Sequence, residues 1–91
     1  MEYQAFGLVE VVGSAHCILV VDQMLKTSDV EYIAKHTKCG GHTLIFMSGS
    51  VSAVQAAIDS VTQNPPCEIC KSAVISGPSE ETVRIVEGFR K

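Results

Sequence analysis

From residue 3 to residue 12 the side chains alternate, with Ala5, Gly7, Val9 and Val11 on one side and Phe6, Leu8 and Glu10 on the other, until Gly13 stops the run. A period of two predicts a strand buried over most of its length. The period then changes. From Ser14, a residue type that caps helices, Cys17, Ile18, Val21, Met24 and Leu25 recur at helical spacing and predict an amphipathic helix ending near Thr27. Residues 30–36 alternate again, Val30, Tyr32 and Ala34 against Glu31, Ile33 and Lys35, and predict a second strand. In the following Lys38, Cys39, Gly40, Gly41 and His42, the glycine pair permits positive φ or close backbone approach, so a tight loop is expected. Residues 42–47, rich in branched and aromatic side chains, predict a third strand and hence a hairpin.

Ser50 or Ser52 can cap a second helix, along which Val51, Val54, Ala57, Ile58 and Val61 recur at helical spacing. That helix must end before Asn64, Pro65 and Pro66. Residues 67–76 read as a fourth strand, Gly77 and Pro78 turn the chain, and Ser79 caps a short helix with Glu80 and Glu81 in its first turn, where the helix dipole favours them. The order strand, helix, strand, strand, helix, strand, helix is the split βαβ pattern of an α+β, ferredoxin-like fold, with a four-stranded antiparallel sheet and a short added C-terminal helix.

Composition changes this picture in one respect. The 91 residues are 46% hydrophobic and 19% charged, with a mean hydropathy of +0.25, yet only 5% are aromatic and none is Trp. One domain over residues 1–91 is expected, and its Val, Ile, Ala and Leu exceed what so small a core can bury, so part of that surface is expected to meet another subunit. A formal charge of -3 and a pI near 5.5, with no basic run, argue against nucleic acid. The longest apolar run, residues 17–21, is far short of the roughly 20 residues that cross a bilayer. With no basic segment leading into an apolar one near the N-terminus, a soluble cytoplasmic protein without membrane partners is expected. In that setting the four cysteines, Cys17, Cys39, Cys67 and Cys70, read as free thiols or ligands.

From Ala5 to Val86 the chain resembles the single-domain shell proteins of bacterial microcompartments, the BMC-domain type that forms hexameric tiles. Gly7, Leu8, Val9 and Glu10 match the family's first-strand segment, and Gly13, Asp22, Met24 and Lys26 match its first helix, which runs from a glycine to a lysine. The resemblance implies the BMC variant of the ferredoxin-like fold, a homo-hexamer, other shell proteins as neighbours and encapsulated enzymes as cargo. The residue Lys26 alone reads rather as a solvated lysine in the last turn of a helix; the resemblance reverses this and implies that Lys26 lies on the tile edge. A second edge element of the family is an Arg after the last strand, where this chain has Gly77. That departure weakens the usual flat contact between tiles.

The family's central pore is lined by the loop between its second and third strands, which here comprises Lys38, Cys39, Gly40, Gly41 and His42. Glycine suits a place where several backbones converge on one axis. Cys39 falls at or near that pore, and symmetry multiplies it. Resemblance to shell proteins with a pore cysteine from glycyl-radical compartments, such as those handling choline or propanediol, implies an iron–sulfur cluster there, with Cys39 as metal ligand and His42 as an added ligand or a channel lining. The alternative is a small polarizable residue in a tight loop with no cofactor required.

The remaining thiols and imidazoles carry less. Cys67 and Cys70 form a CxxC, but they follow two prolines and enter a strand, where positions three apart face opposite sides; a turn there would instead allow a disulfide on oxidation. Cys17 reads as a core residue, His16 as its partly exposed neighbour and His36 as solvated. There is no Ser-His-Asp set, no carboxylate pair suited to a dry pocket and no phosphate loop, so no enzyme is expected. The first reading is a shell tile passing small polar metabolites through its pore. The second is an electron-transfer shell module with a cluster on Cys39, and a third is a small regulatory ligand-binding domain.

Overall fold

Because one face of the first strand carries Ala5, Val9 and Val11 and the other Phe6 and Leu8, that strand needs apolar cover on both sides, and it receives it. In a computed structural model describing residues 3–90, apart from the side chain of Cys39, β1 (Ala5–Val12) lies inside a four-stranded antiparallel sheet. The other strands are β2 (Glu31–Thr37), β3 (His42–Gly49) and β4 (Lys71–Ser76), in the spatial order β2-β3-β1-β4. Helices α1 (Ser14–Thr27) and α2 (Val51–Gln63) cover one face, and the short α3 (Glu80–Gly88) covers the other. This is the expected α+β split βαβ arrangement with its C-terminal helix.

Under α1 and α2 lies the larger cluster, in which Val9, Val11, Val20, Met24, Ile45, Val54 and Val61 are fully buried. On the other face Phe6, Ile33, Ala34, Phe46 and Val86 form a smaller cluster. Phe89 completes it, stacking on Phe46 and on His36, with ring centroids 5.5 Å and 4.4 Å apart. His36 is therefore packed rather than solvated. The whole is a slab of 31 × 28 × 18 Å.

Several details differ from the sequence-based expectations. On α1 the core takes Cys17, Val20 and Met24, whereas Ile18 is 69% exposed and Leu25 is also exposed, so the helix presents a second apolar stripe outward. Its N-cap is Gly13, without a side-chain bond, rather than Ser14, because β1 continues to Val12 and Gly13 makes the turn at φ 98°. A bulge between Tyr32 and Ala34 breaks the alternation of β2, burying Ile33 and Ala34 together and leaving Tyr32 exposed. Residues 67–70 lie outside β4, which begins at Lys71 rather than at Cys67. Elsewhere Ser50 and Ser79 cap α2 and α3, each hydroxyl accepting from the backbone N–H three residues on. On α2, Val54, Ala57, Ile58 and Val61 face the core as expected, but Val51 is exposed.

Candidate functional site

The β2–β3 connection is closed by the Lys38 N–H, which donates to the His42 carbonyl at 2.7 Å, around a single 3-10 turn at Cys39–Gly41. Gly40 and Gly41 stand at φ 82° and 79°. A Cβ on Gly40 would meet only His42 Cδ2 at 3.5 Å, so the backbone angle, not lack of space, is what calls for glycine within one chain. A second tie, from Gly13 N–H to the Gly41 carbonyl at 3.0 Å, fixes the loop against the turn that starts α1.

Glu10 organises the side chains. It sits on β1, 8% exposed, opposite Leu44 of β3 and Lys71 of β4. Its Oε2 accepts from His42 Nδ1 at 2.7 Å, and its Oε1 pairs with Lys38 Nζ at 3.5 Å. The hydrogen bond from His42 is the main cause holding the Glu10 carboxyl below its ordinary pKa; desolvation opposes it, and the charge of Lys38 supports it. The Glu10 carbonyl, in turn, accepts from the Cys70 N–H at 2.8 Å. A carboxylate oxygen of Glu10, a ring nitrogen of His42 and Sγ of Cys70 all lie within 4.8 Å of one another.

The predicted loop residues Lys38, Gly40, Gly41 and His42 are thus together at one end of the sheet. The thiol of Cys39, expected to serve as a metal ligand, lies outside the described residues. Glu10 and Cys70 were not expected in this cluster. The signal for Glu10 was an acidic residue on the same strand face as Phe6 and Leu8, where a charge needs a partner. Cys70 joins through the pairing of its backbone with β1, which no local pattern reveals. Its CxxC partner goes elsewhere: Cys67 packs against the core under the helices, its Sγ 4.0 Å from the His16 carbonyl, and burial pushes its thiol pKa up. Cys17, Cys67 and Cys70 are all unpaired, and Cys17 is a core residue as expected.

Lys26 lies at the opposite end. The last turn of α1 is about 20 Å along a 14-residue helix from the loop. There Lys26, its side chain 76% exposed, pairs with Asp22 at 2.9 Å. Gly77 lies at the same end, its N–H bonded to the Gln4 carbonyl next to the start of β1. Between α1 and β2, Ile18, Val21, Leu25, Tyr32 and Lys35 border an apolar groove of about 360 Å³ floored by Cys17. Among the described residues no helix is long and apolar enough to cross a membrane.

Comparisons with known proteins agree with this architecture. A bacterial microcompartment shell protein PduT from Citrobacter freundii is 38% identical over 55 residues, which cover 60% of this chain and 30% of that protein. The crystal structure of a microcompartment protein from Desulfitobacterium hafniense superposes with a TM-score of 0.79 at 21% identity, covering 99% of this chain and 50% of the other. The chain therefore spans about half, or less, of the length of these relatives. The family model of the BMC domain matches residues 5–78. The chain belongs to the BMC-domain family, and the relatives it resembles are bacterial microcompartment proteins.

Proposed function

We propose that this chain assembles as a hexameric tile whose central opening is lined by Lys38, Cys39, Gly40, Gly41 and His42 and passes small polar metabolites. The observation that carries the reading is the opposition of two ends. A glycine-rich loop held by backbone bonds lies at one end of the sheet, and exposed Lys26 with Gly77 lies at the other. That is the polarity a subunit needs to put one end on an axis and the other on a rim. The 18 Å thickness of the slab and the apolar groove beside Ile18 suit lateral packing within a layer. Around the axis, backbone N–H groups, Lys38 and the width left by Gly40 and Gly41 set selectivity. Other shell proteins and encapsulated enzymes are the proposed neighbours, with the assembled shell lying in the cytoplasm.

Sizing combined with electron microscopy tests this reading. Rings with six-fold symmetry are expected; a monomer over a wide concentration range, with no sheets or tubes on crowding, overturns it.

A second reading keeps the loop and changes its task. Cys39 begins the 3-10 turn, followed by two glycines, and thiolates from several subunits could together hold an iron–sulfur cluster that carries electrons across the shell. A compartment of glycyl-radical type, for choline or propanediol, is the setting this cysteine favours. Brown protein after anaerobic purification, colourless in Cys39→Ala, supports the cluster; colourless wild-type protein under the same conditions favours the plain pore.

A further inference from the structure

We infer that Glu10, His42 and Cys70 form a binding site for a divalent transition ion of the zinc class, complete within one chain. Oxygen, nitrogen and sulfur donors converge here within 4.8 Å, from β1, from the start of β3 and from the segment entering β4. Mixed N, O and S donors suit zinc and its neighbours rather than calcium or magnesium, which take oxygen. Three protein donors leave a fourth position for water or another ligand.

The backbone pre-forms the arrangement. Cys70 N–H donates to the carbonyl of Glu10 itself, which fixes the thiol-bearing residue beside the carboxylate-bearing one. His42 is held by its pairing opposite Val12 and by the loop-closing bond from Lys38. In a tetrahedral site the donors stand about 3.3–3.6 Å apart. Relative to the structure, the His42–Glu10 contact of 2.7 Å lengthens and Cys70 closes in. Both movements fall on side chains with room, since His42 is only half-buried and Cys70 is exposed, while the deeply placed Glu10 stays still.

Binding replaces protons with metal. The Cys70 thiol loses its proton, and so does the His42 Nδ1 if that nitrogen is the ligand, so affinity falls as pH falls. Lys38 is the competing cation: its Nζ stands 3.5 Å from Glu10 Oε1 and must give way. The bound ion ties the 38–42 loop to the segment that enters β4, adding a metal link to a loop otherwise fixed by two backbone bonds. None of this depends on assembly, so the site stands or falls apart from the hexameric reading.

Cobalt(II) titration of the purified protein, followed by zinc competition, tests the site. One cobalt per chain is expected, with a thiolate-to-cobalt charge-transfer band and tetrahedral visible bands that zinc abolishes. The charge-transfer band is lost in Cys70→Ser, an exposed position that does not threaten folding. Affinity falls about tenfold or more in His42→Ala and Glu10→Gln and rises in Lys38→Met, while Cys39→Ser and Cys67→Ser bind like wild type. The inference is overturned by absence of the band in wild-type protein, by its survival in Cys70→Ser, by its loss in Cys39→Ser, or by unchanged affinity in Glu10→Gln.

Discussion

His42 Nδ1 donates to Oε2 of Glu10 across 2.7 Å, tying the first residue of β3 to a nearly buried carboxylate on β1, two positions from that strand's end. An ionised acceptor makes this a strong bond, and it needs the carboxylate charged. The acid end of the stability profile follows from it.

Glu10 is held below its ordinary pKa chiefly by His42, and Glu87 chiefly by the Tyr3 hydroxyl, with Arg90 adding to the effect. In the unfolded chain glutamates titrate near about pH 4.3. For a group whose folded pKa is lowered, the stabilisation is present in full above the unfolded value and is lost as pH falls through the folded one. Denaturant midpoints are therefore expected to hold through neutral pH and fall below about pH 4.3. Glu10→Gln starts lower and falls less steeply. An equal acid slope in Glu10→Gln and wild type would show that the His42 bond contributes nothing to this dependence.

Gly40→Ala and Gly41→Ala each force a side chain into the left-handed region at φ near 80°, at an expected cost of about 1–2 kcal/mol. Steric crowding adds little, because the nearest atoms to a new Cβ stand at 3.5 Å for Gly40 and 3.9 Å for Gly41. Thermal unfolding measures the loss. Asn in place of alanine recovers part of it, since Asn tolerates positive φ better; an Asn variant no more stable than the Ala variant would speak against backbone strain.

Much of the fold was legible because it rests on local period. The two faces of β1, the core stripe of α2 and the serine caps of α2 and α3 can each be read within a dozen residues. The α1 face was misread in part, at Ile18 and Leu25, for a physical reason. Ile18, Val21 and Leu25 make as good a helical stripe as Cys17, Val20 and Met24, and only the sheet decides which stripe it covers. The site was half legible. The 38–42 loop announces itself by its glycines, whereas Glu10 meets His42 across 32 positions of chain, and Cys70 meets Glu10 through one backbone hydrogen bond just before β4, which no local pattern announces.

Gly77 stands at φ 57°, and a Cβ added there would find nothing within 4 Å, so Gly77→Arg has space but carries backbone strain. A stability loss of about 1–2 kcal/mol is expected. If the edge reading of this end is right, the variant nonetheless forms flat sheets more readily than wild type under crowding, as seen by electron microscopy. Unchanged sheet formation in a folded Gly77→Arg would remove the edge role from this position.

The two stripes of α1 separate folding from association. Met24 is fully buried beneath the helix, and its replacement by alanine leaves a cavity, so Met24→Ala is expected to lose about 2–5 kcal/mol of stability. Ile18 faces outward beside the groove that Leu25 and Tyr32 border, so Ile18→Ala is expected to stay within about 0.5 kcal/mol in unfolding of the dissociated chain. If this stripe is the surplus apolar surface that a neighbouring subunit covers, Ile18→Asp weakens assembly while leaving the far-ultraviolet spectrum of the chain unchanged, because a carboxylate put in place of an apolar side chain must be desolvated when the subunits meet, a cost that Lys35 on the groove's rim offsets only in part. Analytical ultracentrifugation of the two Ile18 variants beside wild type reads both quantities. Full assembly of Ile18→Asp would move the interface off this helix and leave its outward stripe uncovered.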